Sequence, residues 1–266
     1  MQLTTKNILY TLLLLFLLVN KAEAAEPAPA YSDLLLDDIQ FVLLAPARWE
    51  TQEWKNLGWA SAAVVGTAIF IDTPLRDETQ RQNGRNSFFR TFERLGAEYS
   101  IGVIGGFYLA GSLSNNETAI RVAEDTLTAS IIASAIITPA IKIVAGRSRP
   151  YKDFGNNNFQ GPGFKQFNSS FPSGHTTEAF ALASVISAHY EESWIKYTVY
   201  SAASLVGFAR IYNDAHFASD VLAGAFIGTL VGQSVVAHNQ SRRGSSVILV
   251  PETAQNFVGL RLTGIF

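Results

Sequence analysis

Six segments without charged residues dominate the chain of 266 residues. They are rich in Ala, Gly, Ser and β-branched residues, and small residues at helical spacing let helices pack closely. The segments are residues 56–71, 99–116, 126–141, 179–190, 197–209 and 221–240. The pattern predicts an all-α protein built as a six-helix bundle. Membrane bundles and tightly packed soluble bundles share this composition, so it leaves open whether the bundle is membrane-embedded.

The first 24 residues predict an export signal. Lys6 precedes a run at residues 8–19 that is apolar except for Thr11, and residues 22–24 read Ala-Glu-Ala, a small-x-small cleavage site. The run is shorter than the roughly 20 residues that a transmembrane helix needs. We therefore predict a signal peptide at residues 1–24, and an uncleaved membrane anchor is the alternative. Either one exports the chain.

The rest of the chain is predicted to form one domain with an addition at each end. Residues 25–55 form a Pro/Ala tether and an amphipathic helix, and residues 56–240 form the helical domain. Residues 241–266 form a tail whose alternating apolar residues and Pro-containing turn predict a small β hairpin. The charged stretch at residues 72–98 is predicted to be a solvated helical face.

Charge and cysteine content exclude several kinds of function. The formal net charge is −2, so the protein has no overall basic field, and we predict no nucleic-acid partner. The chain contains no cysteine, which excludes disulfides and thiolate catalysis.

Three clusters of scarce residue types lie at the ends of apolar segments. The first reads K-I-V-A-G-R-S-R-P from Lys142 to Pro150. Lys142 and Arg149 are seven residues apart, about two helical turns, so we expect both cations to point toward one place. A pair of charges that extend from a helix end into water is the structural alternative.

The second cluster reads F-P-S-G-H-T and immediately precedes an apolar segment. Ser173 and Gly174 are expected at a helix N-terminus, where free backbone N–H groups bind anions, and His175 adds a proton donor or acceptor. The alternative is a serine N-cap followed by an incidental histidine.

The third cluster runs from Arg210 to Asp220 and contains His216. Arg210 is a fixed cation and His216 a candidate nucleophile. Asp220 lies four residues beyond His216, and on a helix this spacing puts both side chains on one face. The sequence therefore predicts a histidine with its own orienting carboxylate, and a solvated polar loop is the alternative.

Together the clusters supply two histidines, a carboxylate, three cations and free amides, which phosphoryl transfer through a phosphohistidine requires. They resemble the K-x6-R-P, P-S-G-H and S-R-x5-H-x3-D motifs of the type 2 phosphatidic acid phosphatase and vanadium haloperoxidase superfamily. The resemblance covers residues 142–220 and implies the six-helix bundle of that superfamily. Ala209 stands where the family has Ser, so one hydroxyl contact near Arg210 is missing.

The resemblance implies a role for each matched residue. His216 would attack phosphorus while Asp220 holds its other ring nitrogen. His175 would protonate the leaving oxygen and then activate water. The phosphate would be bound by Lys142, Arg149, Ser173, Gly174 and Arg210. No metal or other cofactor is expected, although vanadate is expected to bind as a phosphate analogue.

The remaining histidines and the longest irregular stretch are interpreted from the residues alone. His189 and His238 lie outside the motifs and are expected to be structural, and Asp214 is expected in a turn. The loop at residues 151–171 contains five phenylalanines, which form either an apolar lip for a lipid tail or the packing of the loop itself. They are Phe154, Phe159, Phe164, Phe167 and Phe171.

We therefore predict a metal-independent phosphatase that acts on a phosphomonoester or diphosphate, with a lipid-linked substrate favoured over a small phosphoester. The alternatives are a soluble periplasmic acid phosphatase, a vanadium-dependent haloperoxidase and, least favoured, a non-enzymatic membrane scaffold.

A bacterial, membrane-associated protein with a periplasmic site is favoured. A cleaved leader followed by six membrane spans would instead place the site in the cytoplasm. The oligomeric state is not predicted.

Overall fold

A computed structural model describes residues 31–81, 89, 98–163, 169–243, 248–254 and 257–263. The predicted signal peptide at residues 1–24 lies outside the described residues, as do Phe164 and Phe167 of the aromatic loop.

The described chain is helical up to residue 243. The α-helices are α1 (Tyr31–Leu43), α2 (Thr51–Phe70), α3 (Asp72–Arg81), α4 (Glu98–Ser114), α5 (Glu117–Ser130), α6 (Thr138–Ala145), α7 (Gly174–His189), α8 (Ser193–Tyr212) and α9 (Ala218–Arg243). Short 3-10 helices occupy Ala45–Arg48 and Pro150–Lys152. Two antiparallel strands, β1 (Ile248–Ala254) and β2 (Phe257–Thr263), pair Ile248 with Thr263 where the sequence predicts a hairpin.

Each of the six predicted segments coincides with a helix, although the segments at 56–71, 99–116 and 179–190 run one or two residues past the helix end. The segment at 126–141 is the middle of a stretch in which a π-helical segment, Ile131–Ile137, joins α5 to α6. The N–H of Thr138 accordingly donates to the carbonyl of Ala133, five residues earlier. Pro139 follows at the start of α6, where a missing N–H is tolerated. Polar residues lengthen α2, α7, α8 and α9, so the length of an apolar segment underestimates the length of each of these helices.

Helix α7 lies at the centre of the bundle and packs against α5, α8 and α9. Its buried residues occupy every side of the helix and run almost without a break from Thr176 to Ile186. Ala181 and Val185 of α7 join Val231 and Val235 of α9 in the largest described apolar cluster. The N-termini of α7 and α9 therefore lie side by side, and both carry predicted site residues.

Three glycines of α9 allow this close approach. Gly224, Gly228 and Gly232 are spaced by four residues and face α7. A Cβ atom at Gly228 would lie 2.2 Å from the carbonyl oxygen of Thr177 and 2.8 Å from the amide nitrogen of Ala181. Both are backbone atoms, so neither can move without displacing α7.

Gly228→Ala is therefore expected to destabilise the protein by about 1–3 kcal/mol, the usual cost of overpacking, or more if α7 must shift. The measurement is the thermal unfolding midpoint of the purified protein in detergent. Gly105→Ala in α4 is the matched control, because a Cβ there meets nothing within 4 Å. Equal midpoints for the two variants would contradict the close packing of α7 and α9.

Helix α1 packs onto the bundle at the far end of α9. His238 Nε2 lies 2.8 Å from Asp37 Oδ2, and Arg242 Nη1 donates to the same oxygen at 2.7 Å. Nearby, His189 Nε2 lies 2.7 Å from Asp125 Oδ2. Both histidines thus join helices, in agreement with the structural roles expected for them.

Two described helical stretches are long and apolar enough to cross a membrane, Glu117–Ala145 and Ala218–Arg242. Helices α2 and α3 would add a third if the pair, bent by 52°, forms one span. Within the described residues, this is fewer than the six spans that the apolar segments could have supplied.

Candidate active site

The first cluster is tied to the second through Lys142. This side chain is buried near the end of α6, and its Nζ donates to the carbonyl oxygen of Ser169 at 2.5 Å and to that of Ser170 at 3.5 Å. Ser169 Oγ in turn donates to the carbonyl of Lys142 at 3.1 Å. The end of α6 is thus fastened to the loop that leads into α7.

Arg149 lies close enough to Lys142 to act on it electrostatically, but it does not lie on the same helix as the spacing predicted. Helix α6 ends at Gly146, whose φ of 60° is left-handed, so the two cations are not two turns apart on one helix. Arg149 is instead extended and half-buried, at the start of the Pro150–Lys152 turn. Its positive charge still acts on Lys142.

The second cluster forms the N-terminus of α7, as predicted. Ser173 is the N-cap residue, and Gly174 and His175 are the first two residues of the helix. The Ser173 side chain does not cap the helix, and its Oγ instead accepts a hydrogen bond from Thr176 Oγ1 at 2.9 Å. First-turn N–H groups have no acceptor within their own helix, so they can bind an anion here.

The third cluster meets the second through the backbone. The Ser173 N–H donates to the carbonyl of Asp220 at 3.0 Å. The N–H groups of Ala215 and His216 both donate to the carbonyl of Arg210, at 3.1 and 3.2 Å. Arg210 and His216 are therefore held in one tight turn beside the N-terminus of α7.

His216 and Asp220 are neighbours, but the predicted shared helix face is wrong. Helix α9 begins only at Ala218, so His216 precedes it. Asp220 Oδ2 accepts the N–H of Phe217 at 2.9 Å, a cap of the first turn. The distance from His216 Nδ1 to Asp220 Oδ2 is 3.7 Å, too long for a direct hydrogen bond.

Ser170, which the sequence motifs did not indicate, lies between these two side chains. Its Oγ donates to Asp220 Oδ2 at 2.5 Å and lies 3.4 Å from His216 Nδ1. Ser170 is fully buried. Its position three residues before Ser173 was the only sequence signal that could have indicated it.

Arg147 is a second residue that the motifs missed. This fully buried side chain donates from Nη1 to Asp220 Oδ1 at 2.6 Å and from Nη2 to Asp72 Oδ2 at 2.7 Å. Ser219 completes the network, because its N–H donates to Asp72 Oδ1 at 2.8 Å. In the sequence, Arg147 occupies a variable position of the first motif, and Asp72 directly follows an apolar segment.

The charged stretch predicted to be solvated also contributes to the site region. Arg76 of α3 donates from Nε to Asp214 Oδ1 at 2.7 Å and from Nη2 to Asp153 Oδ1 at 2.6 Å. Asp214 has a φ of 55° and lies in a turn, as expected, but it also joins α3 to the loop before His216. Together with Asp72, Arg76 corrects the prediction of an entirely solvated face.

The electrostatics suit a neutral nucleophile beside fixed cations. Burial lowers the pKa of His216 to about 3, and the nearby charges of Arg210 and Lys142 act in the same direction. Burial also lowers the pKa of Arg210, to about 10, which still leaves it protonated at neutral pH. His216 is therefore an unprotonated imidazole that faces positive charge, an arrangement suited to attack on a bound phosphate.

The aromatic loop is only partly described. Phe154 and Phe159 are exposed, by 63% and 53%. Phe159 also lies against the Arg147 guanidinium, with 5.3 Å between that group and the ring centroid. Exposed rings beside the site agree with an apolar lip, which stays a prediction.

A family model described as the PAP2 superfamily matches residues 126–243. The lipid A 1-phosphatase of Porphyromonas gingivalis is 46% identical over 67 residues, which cover 24% of this chain and 15% of that protein. The lipid A 4'-phosphatase of the same organism is 34% identical over 73 residues, 27% of this chain and 31% of the relative. Lipid phosphate phosphatase 1 of Arabidopsis thaliana is 31% identical over 129 residues, 38% of this chain and 39% of the relative.

The chain thus spans less than half the length of these relatives. Among solved structures, the crystal structure of Aquifex aeolicus LpxE matches with a TM-score of 0.46 and 24% identity, over 63% of this chain and 95% of that one. The family match at residues 126–243 includes all three clusters and the helices that hold them. Through this region, the chain is similar to the PAP2 superfamily.

Proposed function

We propose that the protein is a phosphatase that hydrolyses a phosphomonoester or diphosphate carried by a lipid. The observation that carries the proposal is the buried, neutral His216 next to Arg210 and Lys142, with Asp220 behind it. The curated relatives, which are named as lipid A phosphatases and a lipid phosphate phosphatase, support the same reaction class.

In the first step, Nε2 of His216 attacks phosphorus. A P–N bond forms as the P–O bond to the lipid breaks, and His175 donates a proton to the leaving oxygen. The cations Lys142, Arg149 and Arg210 and the first-turn N–H groups of α7 bind the phosphoryl oxygens, where charge accumulates.

In the second step, water attacks the phosphohistidine. His175, now unprotonated, accepts a proton from the water as the new P–O bond forms and the P–N bond breaks. Phosphate leaves and His216 returns to its neutral state. Every role in this cycle is filled by a side chain or backbone amide, so we propose that the reaction needs no metal.

The place of the site along the helices supports a lipid substrate. Lys142 lies three residues from the end of the apolar stretch Glu117–Ala145, and Asp220 lies in the first turn of the stretch Ala218–Arg242. If both stretches cross the bilayer, these residues lie at its surface, where lipid headgroups are found. Large apolar side chains on the outside of α2 and α4, such as Trp59 and Leu113, suit contact with acyl chains.

The test is phosphate release by the purified protein in detergent, in the presence of a chelator. The panel contains lipid A, phosphatidate, a lipid diphosphate and a soluble aryl phosphate. Release from at least one lipid, faster than from the soluble ester, is expected. Release from the soluble ester alone would instead support a periplasmic acid phosphatase, and a requirement for added metal would contradict the proposed mechanism.

The side of the membrane that the site faces is linked to the position of α1. Asp220 and Arg242 are 22 residues apart on α9, about 33 Å along a helix, which is close to the thickness of the bilayer core. Helix α1 contacts the Arg242 end. If α9 spans, α1 and the site therefore lie on opposite sides, so a periplasmic site requires a cytoplasmic α1.

The chain contains no cysteine, so single cysteines report this arrangement cleanly. Gln40→Cys in α1 and Asn157→Cys in the loop beside Arg147 both replace exposed residues. In right-side-out membrane vesicles, an impermeant maleimide is expected to label only one of them, and both after permeabilisation. Labelling of Asn157→Cys alone would establish a periplasmic site. Equal labelling of both in intact vesicles would show that α9 does not span.

A further inference from the structure

We propose that Ser170 is a positioning residue that couples Asp220 to His216, an inference that rests on the proposed function. His216 Nδ1 and Asp220 Oδ2 lie 3.7 Å apart, which is longer than an ordinary hydrogen bond. The Ser170 hydroxyl reaches both groups, at 3.4 Å from Nδ1 and 2.5 Å from Oδ2. All three side chains are buried.

The direction of these hydrogen bonds follows from the groups that donate to the Asp220 carboxylate. Its Oδ1 accepts from Arg147, and its Oδ2 accepts from the N–H of Phe217 and from Ser170. Because the Ser170 hydroxyl donates its hydrogen bond to the carboxylate, its oxygen is left to accept a hydrogen bond from the N–H at His216 Nδ1. This fixes the tautomer in which Nε2 carries the lone pair that attacks phosphorus.

The same hydrogen bonds stabilise the intermediate. Attack through Nε2 leaves a positive charge on the phosphorylated ring of His216, and its Nδ1–H then donates to Ser170. Ser170 in turn donates to the negative Asp220, and linked hydrogen bonds of this kind strengthen one another. The carboxylate thus acts on the nucleophile through the hydroxyl.

The backbone of Ser170 is held on both sides. Its N–H donates to the carbonyl of Arg147 at 2.7 Å, and its own carbonyl accepts from Lys142 Nζ at 3.5 Å. Arg147 therefore fixes two members of the chain at once, Ser170 through its carbonyl and Asp220 through its guanidinium. The hydroxyl is positioned by groups of the site and not by loop packing alone.

Ser170→Ala is expected to lower kcat about tenfold to a hundredfold, the size seen for coupled neighbours in one hydrogen-bond network. KM should change less than about twofold, because Ser170 does not touch the substrate. Ser170→Cys keeps a side chain of similar size with a weaker donor, so it is expected to fold like the wild type and to show a similar loss. A purely structural role would instead lower the thermal midpoint and alter KM.

The decisive comparison is a double-mutant cycle of Ser170→Ala with Asp220→Asn. Coupling through the hydroxyl predicts that the double variant loses no more kcat than the more damaged single variant. The control is Ser184→Ala, a fully buried serine of α7 whose hydroxyl donates to Ala181 of the same helix. Its kcat should match the wild type.

Two results would overturn the proposal while the wild type remains active. In one, Ser170→Ala keeps the kcat of Ser184→Ala. In the other, the losses of Ser170→Ala and Asp220→Asn multiply, which would mean that the two side chains act independently. Failure of the proposed function gives a different result, since the wild type itself would then release no phosphate from any substrate of the panel.

Discussion

His216→Ala should abolish phosphate release. The proposed reaction passes through a covalent bond to Nε2 of this residue, and loss of a catalytic nucleophile typically lowers kcat by about 10⁴-fold or more. The remaining cations and amides still bind phosphate, so inorganic phosphate or vanadate should continue to protect the variant against thermal unfolding. Loss of activity with retained anion binding would show that His216 acts as the nucleophile and that other groups bind the phosphate.

The measurement is the rate of phosphate release by wild type and variant from the best lipid substrate. His189→Gln is the matched control, because His189 is also paired with a carboxylate, Asp125, but at the other end of α7. His189→Gln should lower the thermal midpoint and leave kcat close to the wild-type value. If His216→Ala keeps even a tenth of the wild-type rate, His216 is not the nucleophile.

Arg147→Met should destabilise the protein as well as inactivate it. The guanidinium is 2% exposed and bonds two fully buried carboxylates, those of Asp72 and Asp220. Removing one partner of a buried ion pair typically costs about 3–5 kcal/mol, because a buried charge is left uncompensated. Activity should fall too, since Asp220 loses the guanidinium that donates to its Oδ1.

Arg149→Met is the informative control, two residues further along the chain. Arg149 is half-buried and is proposed to bind the phosphate, so its loss should raise KM or lower kcat with a much smaller change in thermal midpoint. Adding Asp72→Asn to Arg147→Met should recover part of the lost stability, because it removes one of the two uncompensated charges. An Arg147→Met midpoint equal to that of the wild type would contradict the buried network.

The sequence identified the residues of the three clusters because histidines and cations are scarce in apolar helices. It could not identify the buried residues that bond to these clusters and hold them in place. Arg147 is 73 residues from Asp220 and 75 from Asp72, and Ser170 is 50 from Asp220. Periodicity reports which face of one helix is apolar, but it does not report which residue of another helix lies opposite. Asp72 therefore looked like the start of a solvated stretch.

Local geometry was the other source of error. The spacings of His216 to Asp220 and of Lys142 to Arg149 were interpreted as turns of a helix, yet the end of a helix lies within each spacing. Helix α9 begins after His216, and α6 ends at Gly146. The proximity arises from tertiary contacts, such as the hydrogen bond from Ser173 N–H to the carbonyl of Asp220. The residues of the three clusters do lie in one region, whereas their spacing predicted the wrong local structure.

The most direct test of the proposed chemistry is to trap the covalent intermediate. In His175→Ala, an activated aryl phosphate can still phosphorylate His216, because its leaving group needs no proton, whereas hydrolysis of the phosphohistidine lacks its base. Rapid quenching with a radiolabelled aryl phosphate should give a burst of aryl alcohol and an equal amount of acid-labile label on His216. Continued release of aryl alcohol without a burst, or label on another residue, would contradict the phosphohistidine mechanism.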